Sequence, residues 1–373
     1  MKKVISIFLT ALMLLSSLLL LAGCKDDEYP PVESTEEEKR TVFTLTYGEK
    51  SYEVKYELYR ALFLNYKSTV DGGDDAVWTG EDKNEYIETI NEIIVENAAE
   101  IYSAFYLCEE IGYDLYSSDV EDTIASYIKV SVEGGVLGDA TVTGHESYEN
   151  YLAALKASNL NYSVQTLLFR YSIAVDAIDK YYMGTPSDEV EGEYKDGKIE
   201  YTRDIIKDYY FSFDCVRVLR AYLQANISYD TEARAEAVRD EMIESAAKGE
   251  NSVIVTIINQ STSSIDEVSN GFIIGRHNLD GAYYEELTEA AFDLENGEVS
   301  PVIRITTGEE DGYYIMYRTE KTEYNFAKCF YNVLYVYLKD KIGEKFDTAE
   351  NGLKAGCEWN DELELNYAEI SME

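Results

Sequence analysis

Between Glu81 and Ile111 the apolar side chains Ile87, Ile90, Ile94, Ala98, Ile101, Phe105 and Cys108 recur at steps of three or four. That spacing puts all seven on one face of a single amphipathic helix. A helix of this length runs roughly 45 Å at 1.5 Å per residue, and a stripe that long has to be covered along its whole extent. The surrounding chain is thereby committed to helix-on-helix packing. Partners are at hand: Tyr148, Tyr151 and Leu155, then Val164, Leu168, Tyr171, Val175, Ile178 and Tyr182, keep the same spacing. Ser118 with Glu121 predicts a capping box opening a further helix. Ahead of these helices, VFTLTYGEKSYEV alternates apolar and polar residues around Tyr47-Gly48-Glu49-Lys50, as a short strand with a turn does. The glycine-rich residues 132–145 predict a loop or small hairpin. Residues 41–183 are therefore expected to be mainly helical.

The periodicity then changes. Thr185-Pro186 predicts a capped helix start with proline at its first position. From Tyr209, YYFSFDCVRVLRAYL is aromatic, β-branched and alternating, which predicts a strand. Residues 230–248 carry a helical pattern, SVIVTII predicts a short strand or packed turn, and Ala282–Leu294 predicts another helix. LENGEVSPVIRI follows that helix with a Glu-Asn-Gly break and a β-branched run after Pro301. PVIRITT and YYIMYRT predict two strands around GEEDG, and Phe326, Phe330, Val333 and Tyr337 return the chain to helix. The fold class expected is α+β, with a sheet-bearing module inserted in a helical one.

At the amino terminus Lys2 and Lys3 precede an apolar run from Val4 to Ala22. This has the form of an export signal, excluded from the fold. The ending Leu21-Ala22-Gly23-Cys24 resembles the lipobox of bacterial lipoproteins. The resemblance implies that Cys24 is acylated, becomes the first mature residue and anchors the chain at the outer face of the cytoplasmic membrane. An uncleaved membrane-spanning helix is the alternative, and it too leaves the rest of the chain outside the cytoplasm. Residues 25–40, KDDEYPPVESTEEEKR, hold two prolines, dense charge and little to bury, which predicts a flexible tether.

With 32 basic and 72 acidic residues the formal charge is −40. Nucleic acid is excluded as a partner, because phosphates need a basic face. Cys108, Cys215, Cys329 and Cys357 are widely spaced with no Cys-x-x-Cys pair, and Cys108 and Cys329 fall on apolar helical faces as small core residues. Two histidines, His145 and His277, are too few for a His-based zinc site or a hydrolase triad. His277 is expected at the surface. Ser126-Tyr-Ile-Lys129 fits Ser-x-x-Lys without that motif's partner elements. DGGDDAVWTGED, from Asp71, is acidic without calcium-loop spacing and is expected to be a solvated loop. No metal and no cofactor are expected. The chain also carries 34 tyrosines, many on the helical stripes, such as Tyr56, Tyr59 and Tyr66. Most are expected as core with the hydroxyl at a boundary, and the remainder suit a groove for extended polypeptide.

Three segments in order, GFIIGR from Gly271, LTEAAFDLENGEVSPV from Leu287 and GYYIMYRTE from Gly312, resemble the second half of a parvulin-type peptidyl-prolyl isomerase domain. DCVRVLRAYL would be its first strand, and the likeness covers Tyr209–Lys321. The preceding helical part is similar to the amino-terminal domain of SurA- and PrsA-type extracytoplasmic foldases, in its YGEKSYEV strand, its long helix ending in EEIGYDLYSSDVED and its Tyr-rich helix pair. The resemblance implies a signal peptide over 1–23, a tether over 24–40, a helical chaperone domain over 41–204, a parvulin-like domain over 205–322, and a C-terminal helix and tail over 323–373 packing on the helical domain.

The resemblance also implies site positions, and there the chain departs from the family. The histidine of the first strand aligns with Arg220 and that of the last strand with Tyr314. The polar Cys or Asp position falls near Ser263, the Met position at Leu279 and the Phe position at Leu287, with an insertion over Asp280–Tyr283 between the last two. Leu279, Leu287, Phe292 and Tyr314 would form the apolar floor for a proline ring. Rotation about an amide faces a barrier of about 18–20 kcal/mol and needs no nucleophile, so the poverty of reactive groups fits the chemistry. With both histidines replaced, a chaperone that holds unfolded secreted polypeptides, with weak or no isomerase activity, is expected. An active isomerase of the same family is the first alternative. A solute-binding lipoprotein would need two lobes of alternating strands and helices, which residues 81–183 lack.

Overall fold

The structure is a computed structural model and describes residues 29–137, 140–225, 231–263, 265–277, 285–306 and 311–372. Cys24 with its leader, Leu279 and the Asp280–Tyr283 insertion lie outside the described residues. The chain divides into two compact units: described residues up to Ile178 with Lys345 onward, and Asp179–Glu344. Residues 179–204, expected with the helical part, fall in the second unit.

The first unit is built on the helix Lys83–Glu110. Ile90, Ile94, Ala98, Ile101, Phe105 and Cys108 of its stripe are buried, and Ile87 is half-buried. The helices Tyr56–Asp71, Ser118–Glu133, Tyr148–Ala157 and Tyr162–Tyr182 accompany it. The expected capping box is not made, because Ser117 is the cap residue of Ser118–Glu133 and donates or accepts no side-chain capping bond. The strands Thr41–Tyr47 and Lys50–Lys55 pair as expected. A third strand, Cys357–Trp359, pairs antiparallel with the first, Phe43 opposite Trp359 and Leu45 opposite Cys357. Three residues are too few to show an alternation, so that strand has no sequence signature. Gly135–Leu137 and Ala140–Val142 form the small hairpin.

Two expectations are corrected here. The described part of the tether is held against the unit: Ser34 Oγ donates to Glu57 at 2.5 Å, Arg60 donates to Glu38 at 2.6 Å, and Asn161 donates to both carboxylates at 3.0 and 3.1 Å. Burial alone would raise the Glu38 carboxyl, but the Thr35 backbone N–H and Arg60 outweigh it and hold it below its ordinary value. The acidic loop is not solvated throughout either. Asp71 is buried, accepting from Trp78 Nε1 at 2.8 Å and from the Gly73 N–H at 2.7 Å.

The second unit carries a four-stranded antiparallel sheet. Its strands are Cys215–Gln224 and Gly312–Arg318 at the centre, flanked by Phe272–Gly275 and Ile303–Ile305. Where a helix was expected from Thr185, the strand Gly184–Pro186 pairs with Tyr194–Asp196, and the helix begins at Arg203 with Thr202 Oγ1 accepting from the Ile205 N–H at 3.2 Å. The helix runs to Phe211, so the strand expected from Tyr209 starts only at Cys215. SVIVTII lies in the helix Glu250–Gln260 and not in a strand. Val253 and Ile257, one turn apart, are fully buried beneath it, so packing on the sheet overrides the β-branched preference for extended backbone.

The helix Glu323–Ala355, interrupted by non-helical dihedrals at Cys329, continues from the second unit into the first at Lys345. Its segment up to Glu344 belongs to the sheet-bearing unit. Within that unit Asp340, 2% exposed, accepts from Tyr209 Oη at 2.5 Å and from the His277 N–H at 2.8 Å. His277 is half-buried by that contact, against the expectation of a surface position. Cys108, Cys215 and Cys329 are buried thiols. Burial pushes Cys108 and Cys215 up to about 12 and Cys329 up to about 11, which makes them inert core residues.

Candidate functional site

The sheet of the second unit has two covered faces, and the period of two along each strand decides which side chain goes where. Leu219, Ala221 and Leu223 of the central strand point to the face covered by the helices Glu232–Ala246 and Glu250–Gln260, with Ile315 and Tyr317 of its neighbour. Val216 and Val218 point to the opposite face, with Ile274, Tyr314 and Met316, under the helix Glu285–Asp293 that supplies Leu287 and Ala291. By the same alternation Arg220 and Tyr222 lie on this second face. The register sets Arg220 opposite Met316 and Tyr222 opposite Tyr314, so Arg220 and Tyr314 are diagonal neighbours on adjacent strands.

Of the described positions that the resemblance implies, Arg220, Leu287, Phe292 and Tyr314 are thus brought to one face. Their environment is packed. Tyr314 is 1% exposed and Leu287 fully buried, while Phe292 is half-buried. The Tyr314 ring stacks on Tyr222 with centroids 4.8 Å apart. Arg220 stays on the face and, among the described residues, meets no acid: its Cζ lies 4.0 Å from the Phe272 ring centroid and 5.4 Å from that of Tyr314. Arg276, at the end of the neighbouring strand, lies 4.3 Å over Phe292. Ser263 sits at the open edge of the central strand. Its hydroxyl donates to Arg220 O at 3.1 Å and accepts from the Tyr222 N–H at 3.2 Å, so it continues the backbone ladder past the end of strand Phe272–Gly275. Its hydrogen-bonding capacity is directed to backbone.

The helix-turn-strand corner after Leu287 is a clamp. Gly297, at φ 90°, donates its N–H to Arg318 O at 2.8 Å, and the Arg318 N–H returns to Glu298 O at 3.0 Å. Ser300, fully buried, donates its N–H to Met316 O at 2.8 Å and accepts from the Met316 N–H on Oγ at 2.9 Å. Arg318 Nη1 donates to Phe292 O at 3.0 Å, tying the helix end to the closing strand. A segment built from backbone pairing needs no reactive side chain.

Sequence reasoning missed Arg217, the arginine three residues before Arg220, which is 1% exposed on the opposite face. Its partners are Glu250 at 3.0 Å, Thr319 Oγ1 at 2.6 Å and Asn270 O at 3.0 Å. The parity of the strand was the available signal, since an arginine in register with Leu219 and Leu223 must be buried.

The tyrosine stripes resolve into two groups. Tyr59 and Tyr66 are core residues whose hydroxyls donate to Asn91 at 2.7 Å and Asn97 at 2.8 Å. Other aromatic residues stand in water: Tyr116 and Tyr324 are each 67% exposed and Phe213 is 86% exposed. Among the described residues no group of three His, Cys, Asp or Glu side chains converges as a metal ion would require.

No family model and no curated protein matches this sequence. Among solved structures, the chain is similar to foldase protein PrsA from Streptococcus pneumoniae, at 19% identity over 74% of this chain and 86% of that one, with a TM-score of 0.28. PrsA from Bacillus subtilis is similar at 17% identity over 72% and 87%, with a TM-score of 0.23. Foldase protein PrsA from Lactococcus lactis is similar at 14% identity over 87% and 96%, with a TM-score of 0.24. At these TM-scores the likeness carries no argument about the site, which rests on its own residues.

Proposed function

We propose that this chain is an extracytoplasmic chaperone that holds unfolded polypeptides, with a parvulin-like sheet that has lost most or all isomerase activity. The observation that supports the holding function is the set of aromatic side chains left in water on each unit, Tyr116 on one and Phe213 and Tyr324 on the other. Rigid aromatic side chains of this kind offer apolar contact area to apolar segments of a client. In a refolding assay with an aggregation-prone client, the chain from residue 25 is expected to suppress light scattering at near-stoichiometric ratios. Replacing Tyr116, Phe213 and Tyr324 together by Ser is expected to remove most of the effect. Undiminished suppression by that variant would remove the basis of this reading.

The isomerase half follows from the packed face. A twisted amide is favoured by neutral hydrogen-bonding groups in a dry pocket, and here those positions hold a permanently charged Arg220 and a buried Tyr314. A loss of about 4 kcal/mol in transition-state stabilisation costs roughly a thousandfold in rate. Acceleration barely above background is expected on X-Pro peptides, and Arg220→His with Tyr314→His is expected to restore little. Wild-type acceleration equal to that of an intact parvulin, abolished by Leu287→Ala, would show that substitution here is not decay.

The lipid anchor belongs to the same proposal and rests on the Leu-Ala-Gly-Cys ending of the leader. Two acyl chains hold stably where one is marginal, each buried methylene contributing about 0.8 kcal/mol. Metabolic labelling with a fatty acid is expected to mark the wild type and not Cys24→Ala, which should accumulate as an unprocessed precursor. Equal labelling of the two would dispose of the anchor.

A further inference from the structure

We propose that Arg220 makes this sheet face a recognition site for a carboxylate-bearing residue, Glu or Asp, in an extended polypeptide. The inference rests on the polypeptide-holding reading above and gives it a substrate class. The guanidinium is held by the Phe272 and Tyr314 rings at 4.0 and 5.4 Å, and Tyr314 is itself braced by Tyr222. Aromatic faces hold a guanidinium by its plane and leave its N–H edge as the donor surface. The Nε of Arg220 is buried with no hydrogen-bond partner, and among the described residues no carboxylate forms an ion pair with it. In a chain with 72 acidic and 32 basic residues, Arg220 combines the lack of an acid partner among the described residues with a buried, unpartnered Nε. Arg217 on the same strand shows the contrast, because it is met by Glu250 at 3.0 Å.

A buried donor left unmade is a standing penalty that an arriving acceptor removes. The planar fork suits a carboxylate, which accepts two parallel N–H bonds. Ser263 does not compete for the ligand, since its hydroxyl is engaged with the backbone of the central strand. Phe272 and Tyr222 flank Arg220 with half-buried apolar surface for the neighbouring residues of such a segment. The charge of −40 repels acidic peptides at long range, but screening cuts that field within about 8 Å at physiological salt, where a desolvated pair is screened much less.

The full chain titrated calorimetrically with acetyl-Ala-Glu-Phe-Ala-amide and with its Gln counterpart tests the proposal. The Glu peptide is expected to bind about tenfold more tightly, a difference of about 1.4 kcal/mol. Arg220→Gln is expected to bind both peptides at the affinity of the wild type for the Gln peptide. Arg220→Lys, which keeps the charge and loses the planar fork, should retain less than half of the discrimination. Equal affinities of wild type for the two peptides, or discrimination that survives in Arg220→Gln, would overturn it. Should Arg220→Gln fail to fold by its thermal transition, full discrimination in Arg220→Lys overturns it equally. Aggregation suppression with no preference for Glu would leave the holding function standing and this inference refuted.

Discussion

Arg217→Ala is expected to destabilise the sheet-bearing unit by about 3–5 kcal/mol, the range for breaking a buried ion pair from one side. Arg217 joins three separate segments: Glu250 in the first turn of helix Glu250–Gln260, Thr319 after the closing strand and Asn270 O before the strand Phe272–Gly275. The turn is shaped to it. Gly271 has φ 75°, and a Cβ there would stand 2.9 Å from Arg217 Nε. Truncation leaves a cavity and orphans the carbonyl and hydroxyl, while Glu250, with a side chain 31% exposed, can recover water. Glu250→Ala is therefore expected to be costly too, because it strands the buried cation. Arg217→Met with Glu250→Gln is expected to recover much of the loss, because it fills the space without a charge. Chemical denaturation followed by hydrogen exchange of strand Cys215–Gln224 reads the sheet-bearing unit specifically. A loss below about 1 kcal/mol for Arg217→Ala would mean that the ion pair is incidental to the fold.

The second large effect concerns the helical unit and pH. Glu100, half-buried on helix Lys83–Glu110, accepts from Tyr171 Oη at 3.2 Å. Glu350 and Glu96 act on it, and Lys354 pairs with both, at 2.7 and 3.7 Å. Burial, then the Glu350 charge, push the Glu100 carboxyl up from 4.5 to about 8, against the Tyr171 hydroxyl and Lys354. Glu350 is raised as well, by burial opposed by Lys354. Because the folded state holds the Glu100 proton more tightly than the unfolded state, stability is complete below about pH 4.5 and falls as pH rises towards 8. The full shift is an upper bound of nearly 5 kcal/mol at 1.36 kcal/mol per unit, and partial exposure brings the expected loss to roughly 2–3 kcal/mol. Glu100→Gln keeps an acceptor for Tyr171 and removes the ionisation. It is expected to match the wild type at pH 5 and exceed it by about 2 kcal/mol at pH 8.5. Since the whole acidic chain titrates as well, the difference between variant and wild type is the quantity to follow. Equal stabilities at pH 8.5 would rule out Glu100 as the strained carboxyl.

Where a segment repeats its period over several turns, the fold was legible in the chain. The stripe from Ile87 to Cys108 is one helix, and the alternation in VFTLTY and CVRVLRAYL is strand, because both patterns are written in neighbouring residues. SVIVTII shows the limit. Its β-branched residues favour extended backbone, yet Val253 and Ile257 serve equally well as one turn of a helix once a sheet face lies beneath them. The same limit hid the strand Cys357–Trp359, whose pairing partner lies over three hundred residues earlier, and the docking of Glu38 on Arg60.

By itself the sequence determined the long helical stripe of residues 87–108 and the strand alternation that carries Arg220 and Tyr314, both of which are local properties. Tertiary structure alone decided that Arg220 lies against aromatic rings with no acid among the described residues while Arg217, three residues earlier, is buried against Glu250. The parity of one strand sends these two identical side chains to opposite faces, and what covers each face comes from distant segments whose arrival no local pattern announces.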